Sequence, residues 1–364
     1  MKSIDVKLGS TGESSHQIHI GRDILDRMAL VILRSRWACR YVVVSDQQVA
    51  AIHGPGVLGA MRGAGLMVDL LEIPPGESSK DVPTCLDLAK RLVRLGVDRG
   101  FCLVALGGGV VGDLTGFLAS IYMRGIAYIQ VPTTLLAQVD SSIGGKTGVD
   151  LEEGKNLLGT FYQPRAVFVD LAFLETLPEA QIKEGLSEVV KYGLIEEPEL
   201  LAELDSGLNP HGSPDPAWME ALVERCCLIK KRFVEMDERD RGVRRILNFG
   251  HTVGHALEAA SGYSLSHGEG VALGMVAAAR LSARLAGLPG EEVSRLEGLL
   301  GRLGLPTRIP QRIPTSGVLE CMERDKKREG KGVPLVLLKR PGLPFIQDWV
   351  PGDCVRQVLE ELKT

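Results

Sequence analysis

The sequence predicts an α/β N-terminal domain built on a parallel, Rossmann-like sheet, followed by a mainly α-helical C-terminal domain. In the first half, apolar runs that end in Gly, Asp, Thr or Pro alternate with helical segments. From about residue 175 onward the apolar periodicity is mostly helical. We therefore expect two domains, 1–174 and 175–364, which suits a chain of 364 residues with 45% hydrophobic residues.

Four apolar runs predict the strands of the sheet. Helical segments such as TCLDLAKRLVRLG lie between them. Strands that are continuously apolar and joined by helical crossovers are typical of a parallel sheet covered on both faces. The runs are RYVVVSD (40–46), FCLVALGGG (101–109), AYIQVPTT (127–134) and AVFVDL (166–171).

Composition and sequence pattern limit the binding partners and the cellular location to be expected. A net charge of -4 argues against a nucleic-acid-binding surface. The first residues, MKSIDVKLGS, lack the pattern of a signal peptide, and Arg280 and Arg284 interrupt the longest apolar run before it could span a bilayer. Seven cysteines without a CxxC pair suit reduced thiols. We expect a cytoplasmic protein that binds neither nucleic acid nor a membrane.

The segment LGGGVVGDLTGF (106–117) predicts a phosphate-binding turn. It follows a strand and opens a helix, so its backbone amides and the helix dipole favour a pyrophosphate. A tight structural turn is the alternative, because the glycines depart from the usual G-x-G-x-x-G spacing. Asp46 ends an earlier strand, where an acid can bind a ribose hydroxyl. The candidate nucleotide-binding residues are Asp46, Gly108, Gly109, Gly112 and Asp113, with Gly76, Glu77 and Lys80 of PPGESSK.

A glycine-rich stretch over residues 130–164 predicts a site for an anion. Two lysines in it, Lys146 and Lys155, lie among glycines that allow close backbone approach. An ordinary solvated loop is the alternative for either lysine alone. Their combination with threonines at a strand end favours a ligand-lined cleft. The candidates are Thr133, Thr134, Asp140, Lys146, Lys155 and Asn156.

Three of the seven histidines predict a metal site. His251 and His255 are four residues apart in LNFGHTVGHALE, so they share a helix face, and His267 follows in LSHGEG. Two such histidines and a carboxylate can hold zinc with an open position. Spacing alone favours His251 and His255 as ligands, and hydrogen-bonded core histidines are the alternative. In KEGLSEVVKYG, Glu188 and Lys191 share a helix face, where a surface ion pair is the alternative to a functional role.

Long motifs follow one another along the chain: GGGVVGDLTGF, MRGIAYIQVPTTLLAQVDSSIGGKTGV, GKNLLGTFYQP, EGLSEVVKYG, LNFGHTVGHALE, LSHGEGVALGM and ERDKK. Together they resemble the 3-dehydroquinate synthase family of the sugar-phosphate cyclase superfamily. The resemblance covers nearly the whole chain. It implies the dehydroquinate synthase-like fold, a phosphorus-oxygen lyase activity, NAD, and a divalent metal ion, Zn²⁺ or Co²⁺.

The resemblance also implies roles for single residues. The metal ligands would be Glu188, His251 and His267. His255 would lie near the substrate phosphate. The glycines that precede His251 and His255 would allow close packing against the nucleotide-binding domain.

Other polar residues match substrate-binding positions of the family. The phosphate would be bound by Lys146, Asn156, Asn248 and a lysine of DKK, taken as Lys326. The substrate carboxylate would be bound by Lys230 and Arg244, and the hydroxyls by Asp140 and Lys191. Arg124 would reach the phosphate pocket of a neighbouring subunit, which implies a homodimer. Asp240 stands where the family usually has glutamate, a departure that affects the placement of Arg244.

The implied reaction converts 3-deoxy-D-arabino-heptulosonate 7-phosphate into 3-dehydroquinate and phosphate, in the shikimate pathway. NAD⁺ takes a hydride from the substrate, the adjacent C–H becomes acidic, and phosphate is eliminated. NADH then returns the hydride, and ring opening and aldol closure follow, so NAD is not consumed. The alternatives are another sugar-phosphate cyclase, an NAD- and metal-dependent polyol dehydrogenase of the same fold, and a non-catalytic nucleotide-binding protein.

Overall fold

The computed structural model describes residues 1–9, 15–207, 216–324 and 333–363. The chain divides into two compact units. The first comprises Met1–Pro178 and Met219–Arg239. The second comprises Glu179–Trp218 and Asp240–Thr364.

The described strands form a seven-stranded sheet and two hairpins. Their bounds are β1 Lys2–Val6, β2 His16–Gly21, β3 Arg40–Asp46, β4 Val68–Ile73, β5 Phe101–Gly107, β6 Ala127–Pro132, β7 Lys146–Leu151, β8 Gly154–Phe161, β9 Ala166–Asp170, β10 Leu335–Arg340 and β11 Leu343–Gln347. The hairpins pair β7 with β8 and β10 with β11, both antiparallel.

The described helices connect and cover these strands. Their bounds are α1 Leu25–Ser35, α2 Gln47–Gly63, α3 Val82–Arg94, α4 Gly109–Ile121, α5 Glu179–Ile195, α6 Glu199–Gly207, α7 Pro216–Met236, α8 His251–Ala260, α9 His267–Ala286, α10 Gly290–Arg302, α11 Thr315–Arg324 and α12 Gly352–Glu361. Short turns of 3₁₀ helix include Glu77–Ser79, Tyr122–Arg124 and Val243–Asn248, and Ala137–Ser141 forms a π turn.

The large sheet belongs to the first unit and has the order β1-β2-β9-β6-β5-β3-β4. Only β1 and β2 pair antiparallel among its neighbouring strands, and the other pairs are parallel. The four predicted apolar runs coincide with β3, β5, β6 and β9, so the predicted parallel sheet is confirmed. The structure adds β1 and β2 as an antiparallel edge that the sequence analysis did not identify.

The four central strands β3, β5, β6 and β9 are buried on both faces of the sheet, which explains why they are mainly apolar. On β3, Val42 and Val44 pack in one apolar cluster with α3 and α4. Tyr41 and Val43, which point to the opposite face, pack in a second cluster with α1 and α2. An uninterrupted apolar strand therefore supplies two cores, one on each side of the sheet.

The second unit is mainly helical, as predicted, and α9 is its central helix. From Gly268 to Ala279 nearly every residue of α9 is buried, and the helix contacts α5, α8, α10, α12 and β10. A helix that is apolar on all sides belongs in a core. Ser266 and Glu269 form a capping box at its start, and Gly287 ends it in the left-handed conformation. Within the described residues, no helix has the length and apolar character needed to cross a membrane.

The division into units departs from the expected boundary at residue 174. The first unit extends to Pro178 and also includes residues 219–239, which the prediction had assigned to the C-terminal domain. The physical reason is local packing of α7. Its Lys230 donates a hydrogen bond to Asp140 at 2.8 Å, and its Cys227 thiol donates to the carbonyl of Gln138 at 3.4 Å. Helical periodicity alone does not show which unit a helix joins.

Candidate active site

The glycine-rich segment lies where the winding of the sheet reverses. From β3 the chain adds β4 on one side, and β5 and β6 on the other. Ligands of such sheets bind outside the carboxyl ends of the two central strands at this switch point. Here those ends are Asp46 of β3 and Gly107 of β5, and Gly108 directly precedes α4. The structure therefore joins the predicted glycine segment and the predicted acid at one edge of the sheet.

Glycine lets α4 begin close to the strands. A Cβ atom on Gly107 would lie 2.6 Å from the side chain of Val111, and one on Gly112 would lie 2.8 Å from Oε1 of Gln130 in β6. Real Cβ atoms do not approach other atoms so closely, so a larger residue at 107 would displace Val111, and one at 112 would displace the end of the Gln130 side chain. Gly112 thus has a packing role, whereas Gly108 is the extended residue that caps α4. The structural alternative explains Gly112, and it leaves the amides of the first turn of α4 as candidates for an anion.

Lys80 is the buried centre of a polar cluster. Its ammonium donates to Oδ2 of Asp113 and to Oδ1 of Asn156, each at 2.6 Å. Lys80 is only 5% exposed. Burial alone would lower the pKa of Lys80, but the carboxylates of Asp113 and Glu77 raise it. Lys155 lies 3.5 Å from Glu77 at the exposed margin of the same cluster. Five sequence-predicted residues from α4, the β7–β8 hairpin and the segment after β4 are therefore brought together.

A second ion pair in the first unit joins two further predicted residues. Lys230 lies 2.8 Å from Asp140, which belongs to the π turn after β6. Such turns are often found at functional sites. The family resemblance implied a carboxylate-binding role for Lys230 and a hydroxyl-binding role for Asp140, and the structure places these two side chains in direct contact.

Asp46 has a structural role that the sequence analysis did not assign. Its Oδ1 accepts hydrogen bonds from the backbone amides of Gln48 and Val49, so it is the N-cap of α2. Thr134 has a similar local role, because its hydroxyl accepts a bond from the amide of Ala137 at 3.2 Å. The hydroxyl of Thr133 is buried and lacks a hydrogen-bond partner among the described residues.

In the second unit, a buried carboxylate meets two imidazoles. Oε1 of Glu188 lies 3.4 Å from Nε2 of His251 and 3.7 Å from Nε2 of His267. Glu188 is in α5, His251 begins α8 and His267 begins α9. One ligand atom from each of the three residues lies within 4.8 Å of the others. We call these three residues the Glu188 cluster.

The Glu188 cluster fits a divalent metal ion. Glu188 is 1% exposed, and neither of its oxygen atoms accepts a hydrogen bond of normal geometry from the described residues, although Lys191 and His251 lie in ion-pair contact. Nδ1 of His251 faces the backbone carbonyl of Phe249 at 3.2 Å, so its Nε2 points to the cluster. One carboxylate and two imidazoles are a typical donor set for catalytic zinc.

Electrostatics favours charge separation within the Glu188 cluster. Burial alone would raise the pKa of Glu188, but the ammonium of Lys191 and the imidazole of His251 hold it well below its usual range. Burial alone would lower the pKa of His267, whereas its contacts with Glu188 and Glu258 raise it to about 10. The carboxylate is therefore ionised and available as a ligand, and a metal ion would replace a proton on His267.

His255 lies beside the Glu188 cluster but not in it. Its ring centroid is 5.3 Å from that of His251 and 5.7 Å from that of His267, and its side chain is exposed. It forms a different group with Glu258 and His267. Helical spacing alone had favoured His251 and His255 as a ligand pair. The structure instead groups His251 with Glu188, because α5 and α9 bring their own side chains to the start of α8.

The glycines before the two histidines serve a contact within the second unit. A Cβ atom on Gly254 would lie 2.7 Å from the carbonyl oxygen of Gly270, and one on Gly250 would lie 2.7 Å from the side chain of Met275. Gly250 also has a φ of +80°, which favours glycine. The expectation that these glycines pack against the nucleotide-binding domain is wrong. They let α8 approach α9, and this approach places His251 near His267.

The remaining predicted substrate-binding residues differ in burial and in local structure. Arg244 is fully buried at 2% exposure, in the 3₁₀ turn that also ends with Asn248. Lys146 begins β7 and is exposed. Arg124 is exposed, and its positive φ of 67° follows that of Met123, so this turn is strained. Lys326 lies outside the described residues.

The sequence analysis missed Glu258. Its Oε1 lies 3.0 Å from Nδ1 of His267, and the residue is 1% exposed. The signal was present in LNFGHTVGHALE, because Glu258 follows His251 by two helical turns and so shares its face.

Comparison with known proteins identifies the family. A protein-family model described as 3-dehydroquinate synthase N-terminal matches residues 70–184, and one described as 3-dehydroquinate synthase C-terminal matches residues 185–328. The chain belongs to the 3-dehydroquinate synthase family. A 3-dehydroquinate synthase of Pelobacter propionicus (strain DSM 2379 / NBRC 103807 / OttBd1) is 46% identical over 348 residues, which cover 94% of this chain and 93% of the relative. The resemblance predicted from the motifs is thereby confirmed.

Solved structures of sugar cyclases confirm the predicted fold of this 3-dehydroquinate synthase family member. One is 2-deoxy-scyllo-inosose synthase complexed with carbaglucose-6-phosphate, NAD⁺ and Co²⁺, with a TM-score of 0.90 and 29% identity over 99% of this chain and 100% of that chain. Another is ValA, a 2-epi-5-epi-valiolone synthase from Streptomyces hygroscopicus subsp. jinggangensis 5008, with NAD⁺ and Zn²⁺ bound. Its TM-score is 0.86 and its identity 26%, over 95% of this chain and 96% of that chain.

Proposed function

We propose that the chain catalyses the reaction for which its family is named. It would convert 3-deoxy-D-arabino-heptulosonate 7-phosphate into 3-dehydroquinate and phosphate. The observation that carries this proposal is the Glu188 cluster, a buried carboxylate with two inward-facing imidazoles, in a chain with 46% identity to a named 3-dehydroquinate synthase. A polyol dehydrogenase of the same fold would not need the phosphate- and carboxylate-binding residues described next.

The metal ion would be held by Glu188, His251 and His267. When bound, the divalent metal would polarise substrate hydroxyl groups, while NAD would accept a hydride and later return it. Lys191, which is 1% exposed and paired with Glu188, keeps positive charge beside this carboxylate. It would orient a hydroxyl group next to the metal ligands, the role that the family resemblance implies for it.

NAD would bind at the carboxyl edge of the large sheet. The first turn of α4 would receive the pyrophosphate, and Asp46 would bind a ribose hydroxyl. The polar cluster around Lys80 would complete this side, with Glu77 and Lys155 at its exposed margin. The bound NAD⁺ of the two similar cyclases supports this assignment.

The substrate would be bound by a set of cationic and polar side chains. Its phosphate would contact Lys146, Asn156, Asn248 and His255, and its carboxylate would contact Lys230 and Arg244. A cationic environment binds the phosphate and stabilises it as a leaving group. His255 is exposed beside the Glu188 cluster, so it is accessible to a ligand.

Arg124 suggests how two copies of the chain would cooperate. It is exposed on a strained turn, where a long cationic side chain can reach a second molecule. We assign it to the phosphate pocket of a neighbouring subunit, which makes a homodimer the active form in the cytoplasm. Sedimentation of the wild-type protein and of Arg124→Ala would separate assembly from a role in turnover, because this proposal expects both to be dimers and only the variant to be slow.

The deciding experiment is an assay with three candidate substrates. The purified protein is incubated with a trace of NAD⁺ and Co²⁺ or Zn²⁺, together with the heptulosonate phosphate, glucose 6-phosphate or glycerol. We expect phosphate and dehydroquinate in equal amounts from the first substrate alone, with no accumulation of NADH. Phosphate release from glucose 6-phosphate would favour a different cyclase, and NADH formed in step with product from glycerol would favour a dehydrogenase.

A further inference from the structure

The two histidines of the Glu188 cluster are oriented by different partners. Nδ1 of His251 faces a backbone carbonyl, that of Phe249, at 3.2 Å. Nδ1 of His267 faces a side chain, the carboxylate of Glu258, at 3.0 Å. Both rings consequently present Nε2 to Glu188. Since the partner of His267 is a side chain, its contribution can be removed by substitution.

The position of Glu258 is fixed by close helix packing. Glu258 is 1% exposed in the last turns of α8, and His267 is the first residue of α9. A Cβ atom on Gly270 would lie 2.9 Å from Cγ of Glu258 and 3.1 Å from its Oε1. Glycine at 270 therefore leaves the space that this carboxylate occupies. A buried carboxylate is costly unless it is paired, and the imidazole of His267 provides a partner.

We propose that Glu258 is a positioning residue for His267: its carboxylate accepts a hydrogen bond from Nδ1–H and so holds Nε2 ready to bind the metal ion. This inference rests on the proposed metal site. A carboxylate behind a ligating histidine fixes the tautomer and the ring orientation and makes the ligand nitrogen a better donor. Glu258 acts through His267, because its Oε1 is the group that faces the far nitrogen of the ring.

The test compares metal affinity in matched variants. Dissociation constants for Co²⁺ and Zn²⁺ are measured by competition with a chromophoric chelator, and the visible absorption of bound Co²⁺ reports ligand geometry. Glu258→Ala removes the acceptor, and Glu258→Gln keeps an acceptor oxygen of the same reach without the charge. Glu297→Gln is the control, because Glu297 is a partly buried carboxylate of the same unit that pairs with Arg280 instead of a histidine.

We expect Glu258→Ala to weaken metal binding about 10- to 100-fold, the usual scale for loss of such a partner. Glu258→Gln should lie between Ala and wild type, because a neutral acceptor bonds less strongly than a carboxylate. Glu297→Gln should bind metal like wild type. Thermal unfolding of the metal-free proteins shows whether each variant folds, and if Glu258→Ala does not, Glu258→Gln decides.

The inference is overturned if the folded Glu258 variants bind metal as tightly as wild type while Glu188→Ala loses it. It is equally overturned if Glu297→Gln weakens binding as much as Glu258→Gln does, since any lost carboxylate would then suffice. If Glu188→Ala and His267→Ala also retain wild-type affinity, the proposed metal site itself is wrong. The Glu188→Ala and His267→Ala measurements therefore separate failure of this inference from failure of the proposed function.

Discussion

The two units prepare their polar residues in opposite ways. In the first unit, the candidate ligand-binding groups satisfy one another: Lys80 bonds to Asp113 and Asn156, and Lys230 pairs with Asp140. In the second unit, the buried carboxylate of Glu188 lies in ion-pair contact with Lys191 and with two imidazoles, but it accepts no hydrogen bond of normal geometry from the described residues.

This difference follows from the kind of ligand that each unit would take. An organic ligand such as NAD carries donors and acceptors of its own, so a paired network can exchange some of its bonds when the ligand binds. A metal ion needs lone pairs that point to one position and are not already bonded to hydrogen. The buried oxygen atoms of Glu188 accept no hydrogen bond of normal geometry from the described residues, and a bound metal ion would account for this.

The largest effect expected from this comparison is that of metal removal. Treatment with a chelator should abolish turnover while circular dichroism stays unchanged, because the helices that carry the Glu188 cluster are held by their own apolar packing. Added Co²⁺ or Zn²⁺ should restore activity, and a sample given chelator together with excess metal is the control. Full activity in a thoroughly metal-stripped protein would show that the Glu188 cluster is not a catalytic metal site.

A stability experiment sharpens the contrast within the first unit. Lys80→Met removes the buried partner of the partly buried Asp113 and should lower the free energy of unfolding by about 3 kcal/mol. Lys155→Met is the matched control, because Lys155 and Glu77 are partly exposed, and its cost should be below about 1 kcal/mol. Urea unfolding measures both values. Equal losses of unfolding free energy in the two variants would mean that the buried ion pair of Lys80 stabilises the fold no more than the exposed pair of Lys155 does.

How much of the fold could be predicted from the sequence depended on whether each element is set by local patterns or by contacts between distant residues. Strands β3, β5, β6 and β9 were predictable, because burial on both faces makes each of them continuously apolar. Strand β1 was missed because it is a short edge strand with several exposed residues. Strand β2 was missed because, although it is mostly buried, His16, Gln17 and His19 interrupt its apolar pattern. The membership of α7 in the first unit depends on tertiary contacts that leave no periodic signal.

In the candidate site, too, some residues could be predicted from sequence motifs, whereas others depend on tertiary packing. The motifs identified Glu188, His251 and His267, but spacing along one helix pointed to His255 as a ligand. The reason is that the three residues of the Glu188 cluster come from the starts of two helices and the middle of a third. The contact of Glu258 with His267 depends on the close crossing of α8 and α9, which Gly254 and Gly270 permit. A sequence pattern does not show where two helices cross or how deeply a side chain is buried.

The smallest expected effect concerns Asp46, which would have two roles. Asp46→Asn keeps the N-cap of α2, because asparagine caps as well as aspartate, so the free energy of unfolding should hardly change. It should weaken NAD binding about 10-fold through loss of a charged hydrogen bond. Asp46→Ala should weaken NAD binding similarly and also cost about 1 kcal/mol of stability. Calorimetric titration with NAD and urea unfolding give the two quantities, and wild-type NAD affinity in Asp46→Asn would remove this residue from the nucleotide site.

The central claim is that the Glu188 cluster holds the metal ion, and that the pair His251 and His255 does not. The metal content of two alanine variants tests this claim most directly. His251→Ala should lose metal affinity severely, because a three-ligand site loses one ligand. His255→Ala should keep wild-type metal content and yet turn over about 10²-fold more slowly, the usual scale for one electrostatic or acid–base contact. Equal loss of metal from both variants would contradict this account and make His251 and His255 the ligand pair.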